Sequence, residues 1–114
     1  MQYYSEEDTK DIRLALESEV LHWGRVSFRK MFGCPCYKVN EKLFVFLVTK
    51  GIVFTHLNEI DRAELSLIFK TAPFKAGRKD IKTWSQVSVS SVKELEGLMP
   101  FVRKSYQEAR NQTE

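Results

Sequence analysis

"LFVFLVTKGIVFTHL", residues Leu43 to Leu57, is the stretch on which the fold turns. In an extended chain, Leu43, Val45 and Leu47 are expected on one side and Phe44, Phe46 and Val48 on the other. A strand that is apolar on both faces belongs in the middle of a sheet, or has its second face covered by another subunit. Lys50-Gly51 then permits a tight turn into a second apolar run, Ile52 to Leu57.

Upstream, Asn40-Glu41 offers a turn back into Cys36 to Val39, and Val26 to Arg29 alternates as a half-buried strand should. A helix precedes them, from about Glu6 to His22. Ser5 is placed to cap it, Glu6, Glu7 and Asp8 suit the positive end of the helix dipole, and Gly24 supplies a stop. Ile12, Leu16, Val20 and Trp23 recur at helical spacing and mark its core face.

Downstream, Asn58 with Asp61 opens a second helix whose inner face is expected at Ile60, Ala63 and Leu67. "KTAPFKAGRKDIK", residues 70 to 82, is broken by Pro73 and Gly77 and reads as an irregular basic segment. Thr83 to Val89 is the last strand. Ser91 and Glu94 form a capping box for a closing helix with a buried stripe at Val92, Leu95, Met99, Val102 and Tyr106, which Pro100 is expected to kink or split. The order α-β-β-β-β-α-β-α defines an α+β fold, a mainly antiparallel sheet of about five strands packed with three helices. The two-faced apolar strand also predicts self-association, most simply as a homodimer.

A chain of 114 residues, 43% hydrophobic and 12% aromatic, builds one domain, residues 1–114, with a real core. The formal net charge of +3 is far below the density of a dedicated duplex-DNA binder. The start is polar and acidic, without the basic and apolar regions of a signal peptide, and no stretch approaches about 20 consecutive apolar residues. These features predict a cytoplasmic protein with no membrane partner.

Cys34-Pro35-Cys36 raises the question of metal or redox chemistry. Zinc needs about four ligands, and His22 and His56 lie at no ligand-like spacing from the thiols. The two thiols are expected on opposite sides of the chain, where an internal disulfide is strained. The tripeptide therefore reads as structural, with Gly33 and Pro35 shaping a bend, and no metal or other cofactor is expected. His56 reads as a sheet residue. Phosphate loops, nucleophile elbows and dinucleotide fingerprints are missing from the sequence, so no catalytic residue is assigned and the chain does not read as an enzyme.

The most functional-looking feature is the basic segment. Lys75, Arg78, Lys79 and Lys82, with Lys70, stand against one acid, Asp80, and Trp84 follows. The plain alternative is a solvated loop. The functional reading is a surface for an anion or an acidic protein partner, with Arg78 as its bidentate donor and Trp84 as an aromatic anchor. A structural reading has Trp84 packing inward.

"RKMFGCPCYKVNEKLFVFLVTKGIVFTHL", residues 29 to 57, resembles the opening of the TfoX/Sxy N-terminal domain family: basic residues, Met-Phe-Gly, a short bend, then two long strands. "PFKAGRKDIKTW", residues 73 to 84, is similar to a segment of that family and of the related MmcQ/YjbR-like proteins, with Phe74, Gly77-Arg78, Lys82 and Trp84 at matching spacing. The resemblance implies a secretion-chaperone-like α+β fold and a non-catalytic regulatory or adaptor module that acts through protein contacts. Where the family has a glycine-rich bend, this chain has Cys34-Pro35-Cys36. The family's full regulators also carry a C-terminal domain that has no counterpart in these 114 residues. The second expectation is a small nucleic-acid or phosphoanion-binding domain using residues 70–82.

Overall fold

A computed structural model describes residues 3–112. Helix α1 (Glu6–Val20) is followed by strands β1 (Val26–Met31), β2 (Cys34–Val39), β3 (Lys42–Val48) and β4 (Gly51–Phe54). Helix α2 (Glu59–Ile68), strands β5 (Thr71–Ala76) and β6 (Lys79–Ser88), and helix α3 (Val92–Asn111) complete the chain. The fold is α+β, and every strand pair is antiparallel in a six-stranded sheet ordered β1-β2-β3-β4-β6-β5. The sixth strand lies in the segment expected to be irregular, where Thr71–Ala76 and Lys79–Ser88 form a hairpin.

Helix starts follow the sequence closely. Ser5, Asn58 and Ser91 accept from the backbone N–H groups of Asp8, Asp61 and Glu94. Glu94 returns a carboxylate oxygen to the Ser90 backbone N–H at 2.7 Å, one residue before the cap. Glycine signals transfer less directly. Helix α1 ends at Val20, and Arg25 rather than Gly24 takes the left-handed conformation beyond it. The β3–β4 turn is Thr49-Lys50, with φ +51° at Lys50. Gly51 is already in β4, where a Cβ would stand 2.9 Å from Val48 Cγ2, so close packing requires glycine there.

Helices α1 and α3 lie on one face of the sheet. Tyr106 of α3 meets Phe44 edge-on, with ring centroids 5.4 Å apart, and Tyr37 of β2 donates to Glu17 of α1 at 2.7 Å. The α3 face is broader than the expected stripe, since Leu98, Phe101, Ser105 and Ala109 are also buried while Val92 is 38% exposed. Pro100 does not split α3. It is exposed, so the helical carbonyl it cannot pair is within reach of solvent.

Helix α2 is turned away from its expected orientation. Leu65 is buried, and Lys104 of α3 bridges to Asp61 and Glu64 at 3.5 and 2.8 Å. With Leu65 inward, Ile60 and Leu67 face outward, at 78% and 87% exposure.

Strand β3 is central in the sheet, but its two faces are not those of a regular strand. Tyr37 pairs with Val45 and Lys38 with Leu43, so Phe44 is an extra residue, a β-bulge. The bulge breaks the alternation. Phe44 packs under Trp23 and Tyr106 on the helix side, whereas Phe46 faces Phe74 and Trp84 on the other. Carbonyls displaced at the bulge are satisfied by groups that follow β4 or sit in α3. Thr55 Oγ1 and His56 Nδ1 both lie 2.6 Å from the Leu43 carbonyl, and Ser105 Oγ donates to the Phe44 carbonyl at 2.6 Å. A carbonyl only accepts, so Nδ1 carries the proton and His56 has a structural task.

Both faces of β3 are buried within this one chain, with Phe46 and Val48 only 5% and 6% exposed. The second face is covered by the chain's own hairpin, which removes the reason for expecting another subunit there.

Candidate functional site

The face of the sheet opposite the helices carries the candidate site, and the β5–β6 hairpin shapes it. Gly77 takes φ +65° in the two-residue turn Gly77-Arg78, a conformation that a side chain resists. Near the turn the rungs are Phe74 with Ile81, Lys75 with Asp80, and Ala76 with Lys79; farther back, Pro73 pairs with Ser85. Lys82, Thr83 and Trp84 therefore have no partner on β5, and this long bulge bends the hairpin end over the sheet. Trp84 turns inward from the bulge, with ring centroids 5.6 Å from Phe46 and 5.9 Å from Phe74.

The hairpin brings Lys75, Arg78, Lys79 and Lys82 together at its exposed end. None of their side chains forms a hydrogen bond or ion pair with another described residue. Three other arginines are committed to partners within the molecule, while Arg25 and Arg29 resemble Arg78 in having no side-chain bond to a described residue. Arg13 pairs with Glu6 and Glu17, Arg62 donates to the Leu57 carbonyl, and Arg103 stacks 4.8 Å from the centre of the Trp23 ring. The ladder also sorts the basic cluster. Lys75 shares its rung and its side of the hairpin with Asp80, whereas Lys79 shares both with Ala76. Trp84 is only half-exposed and belongs to the packing beneath the cations rather than to their surface.

Under the bent hairpin lies a cleft of about 450 Å³. Its floor is Cys34, Cys36, Leu43 and Phe46, its wall is Phe74, Ala76, Ile81 and Trp84, and Tyr3, Met31 and Phe32 form the rim. The β3 bulge makes this floor, because it brings Leu43 and Phe46 to one side although they are three residues apart. Phe32 is 86% exposed at φ +54° in the β1–β2 turn. A wider, shallower depression of about 660 Å³ lies along β5 and β6 and includes Lys75 and Asp80.

The cysteine stretch departs from its expected shape. The turn is Phe32-Gly33, and Cys34, Pro35 and Cys36 are already in strand β2. The thiols expected on opposite sides share one, since residues two apart in a strand project to the same face. Both are free of disulfide bonds and buried. Burial pushes Cys34 up, and pushes Cys36 up to about 11 with help from its neighbour Cys34, so both remain protonated thiols at neutral pH. The Cys36 thiol lies 3.4 Å from the Cys34 carbonyl. Among the described residues, no three His, Cys, Asp or Glu side chains gather as metal ligands, and no helix is long and apolar enough to cross a membrane.

The sequence thus pointed to the cationic end of the site and missed the cleft. One signal for it was available: Phe32 is a large aromatic residue beside a turn glycine, where a polar residue is usual. In comparisons with known protein families, with characterised proteins and with solved structures, the chain matches none.

Proposed function

We propose that this protein is a non-catalytic regulatory or adaptor module, of the kind exemplified by the TfoX/Sxy N-terminal domain, that works in the cytoplasm by binding a protein partner. The observation that carries the reading is Arg78. It stands at the tip of a glycine-turned hairpin with its guanidinium uncommitted among the described residues, flanked by Lys75, Lys79 and Lys82. A free guanidinium held on a two-stranded support suits bidentate capture of a carboxylate on an acidic partner surface. The neighbouring thiols, pushed up by burial, suit packing better than nucleophilic attack.

A photo-crosslinker placed at Asp80, beside the arginine but with no role in this reading, tests the assignment in the native host. The expected result is one dominant protein adduct that disappears when Arg78 is also replaced by Ala. Undiminished crosslinking in the Arg78→Ala background would contradict the reading.

The second reading, binding of nucleic acid or another phosphoanion, is favoured by the same four cations against one acid. It predicts a steep linear fall of log affinity with log salt, with a slope of about −0.7 per phosphate neutralised on a single strand. Self-association, in this account, uses the outward stripe of Ile60, Ala63 and Leu67 on α2 rather than β3. A Leu67→Glu variant is then monomeric by light scattering where the parent chain is a dimer.

A further inference from the structure

The cleft beneath the hairpin asks for an occupant that the surface cations alone do not explain. We propose that it binds a small molecule with an apolar body and a single anionic end, the class of a medium-chain carboxylate. At about 450 Å³ it falls within the range of about 300–1,000 Å³ typical of small-ligand sites, and like them it is concave and mainly apolar. Phe46 at the floor and Trp84 in the wall supply aromatic surface for the apolar body.

Charge at the mouth is set by the strand registers. Paired residues in a ladder project to the same side. Ala76 lines the cleft, so its rung partner Lys79 stands on the cleft side of the hairpin. From the opposite direction, Arg29 shares a rung with Cys36 and Lys38 shares one with Leu43, two residues of the cleft floor. Asp80, the carboxylate nearest in sequence, shares its rung with Lys75 on the other side of the hairpin. No charged residue lines the cavity itself, but on both of its margins the rung partners of lining residues are cations, and that complementarity favours an anionic head over a neutral or cationic one. Phe32 on the rim is positioned to cover such a ligand and lose some of its own exposure. The proposal goes beyond the adaptor reading, because the ligand needs no protein partner and the two stand or fall separately.

Three probes with one apolar body and different heads test it: octanoate, 1-octanol and octyltrimethylammonium, titrated by calorimetry below their aggregation limits. Emission from Trp84 is followed in parallel in a Trp23→Phe background. Octanoate is expected to bind saturably at one site and to shift the Trp84 emission. Octanol and the ammonium probe are expected to bind more weakly, by about fivefold for octanol, the upper range for one exposed charge pair. Ala76→Phe fills the mouth from an exposed position and should abolish octanoate binding. The surface pair Arg29→Glu with Lys79→Glu should weaken it at least about fivefold without a change in melting temperature. The surface pair reports independently should Ala76→Phe fail to fold. No saturable octanoate binding overturns the proposal. So does octanol or octyltrimethylammonium binding as tightly as octanoate, or octanoate binding that survives charge reversal unchanged.

Discussion

Replacing Ser105 by Ala isolates the device that shapes both faces of the sheet. Ser105 is fully buried, and its hydroxyl makes two bonds: it donates to the Phe44 carbonyl at 2.6 Å and accepts the His56 backbone N–H at 3.0 Å. Alanine fills nearly the same volume, so little cavity is created. The Phe44 carbonyl keeps the Thr55 backbone N–H at 3.1 Å and loses one bond, about 0.5–1.5 kcal/mol. The His56 N–H loses its partner and bears a desolvation cost of about 1–3 kcal/mol. The sum is about 3 kcal/mol, which at about 4 °C per kcal/mol lowers the melting temperature by roughly 12 °C. Urea unfolding followed by circular dichroism measures it, with an unchanged slope showing that only stability has moved. Ser66→Ala is the control, because Ser66 donates to the Ala63 carbonyl at an exposed site and should change stability by less than about 0.5 kcal/mol. If Ser105→Ala is no worse than Ser66→Ala, the bulge is not held in the way described.

Gly51→Ala brings a Cβ within 2.9 Å of Val48 Cγ2 and is expected to destabilise by about 1–3 kcal/mol in the same urea assay. Cys34 and Cys36, protonated at neutral pH, should react with a thiol reagent at pH 8 far more slowly than the same residues in urea-unfolded protein; equal rates would contradict their burial. Hydrogen bonds from Arg13 first, and from the Tyr4 hydroxyl second, hold the Glu6 carboxyl down at about 2, against an ordinary value of 4.5. Its contribution to stability is therefore whole above pH 4.5 and lost as pH falls from 4.5 towards 2. Glu6→Gln should flatten that acid limb of the urea midpoint, and an unchanged limb would assign the loss to other groups.

The features legible in the sequence were those set by local chemistry. Ser5, Asn58 and Ser91 cap helices because a short side-chain oxygen satisfies an orphan N–H wherever a helix starts. The two-faced run Leu43 to Val48 announced a central strand because burial on both sides needs apolar residues on both sides. What escaped depended on partners distant in sequence. At the bulge, Ser105, 61 positions away, donates to the Phe44 carbonyl, a partner no local sequence reading supplies. The orientation of α2 is set by which residue reaches the core: Leu65 is buried, so the apolar stripe at helical spacing faces outward, and Lys104 of α3 adds ion pairs to Asp61 and Glu64. The site divided along the same line. Lys75, Arg78, Lys79 and Lys82 were visible as a charge cluster, whereas the cleft required the hairpin of residues 71–88 and its three-residue bulge to bend over the sheet.

That Arg78 serves a partner and not the fold is our proposal. Its most direct test compares Arg78→Ala with the parent chain, measuring thermal unfolding and recovery of the co-purifying protein from the native host. The Arg78 side chain has no bond to lose among the described residues, so the melting temperature should move by no more than a surface substitution allows, about 0.5 kcal/mol or roughly 2 °C, while the partner disappears. A marked fall in melting temperature, or a partner retained in full by Arg78→Ala, would contradict the account.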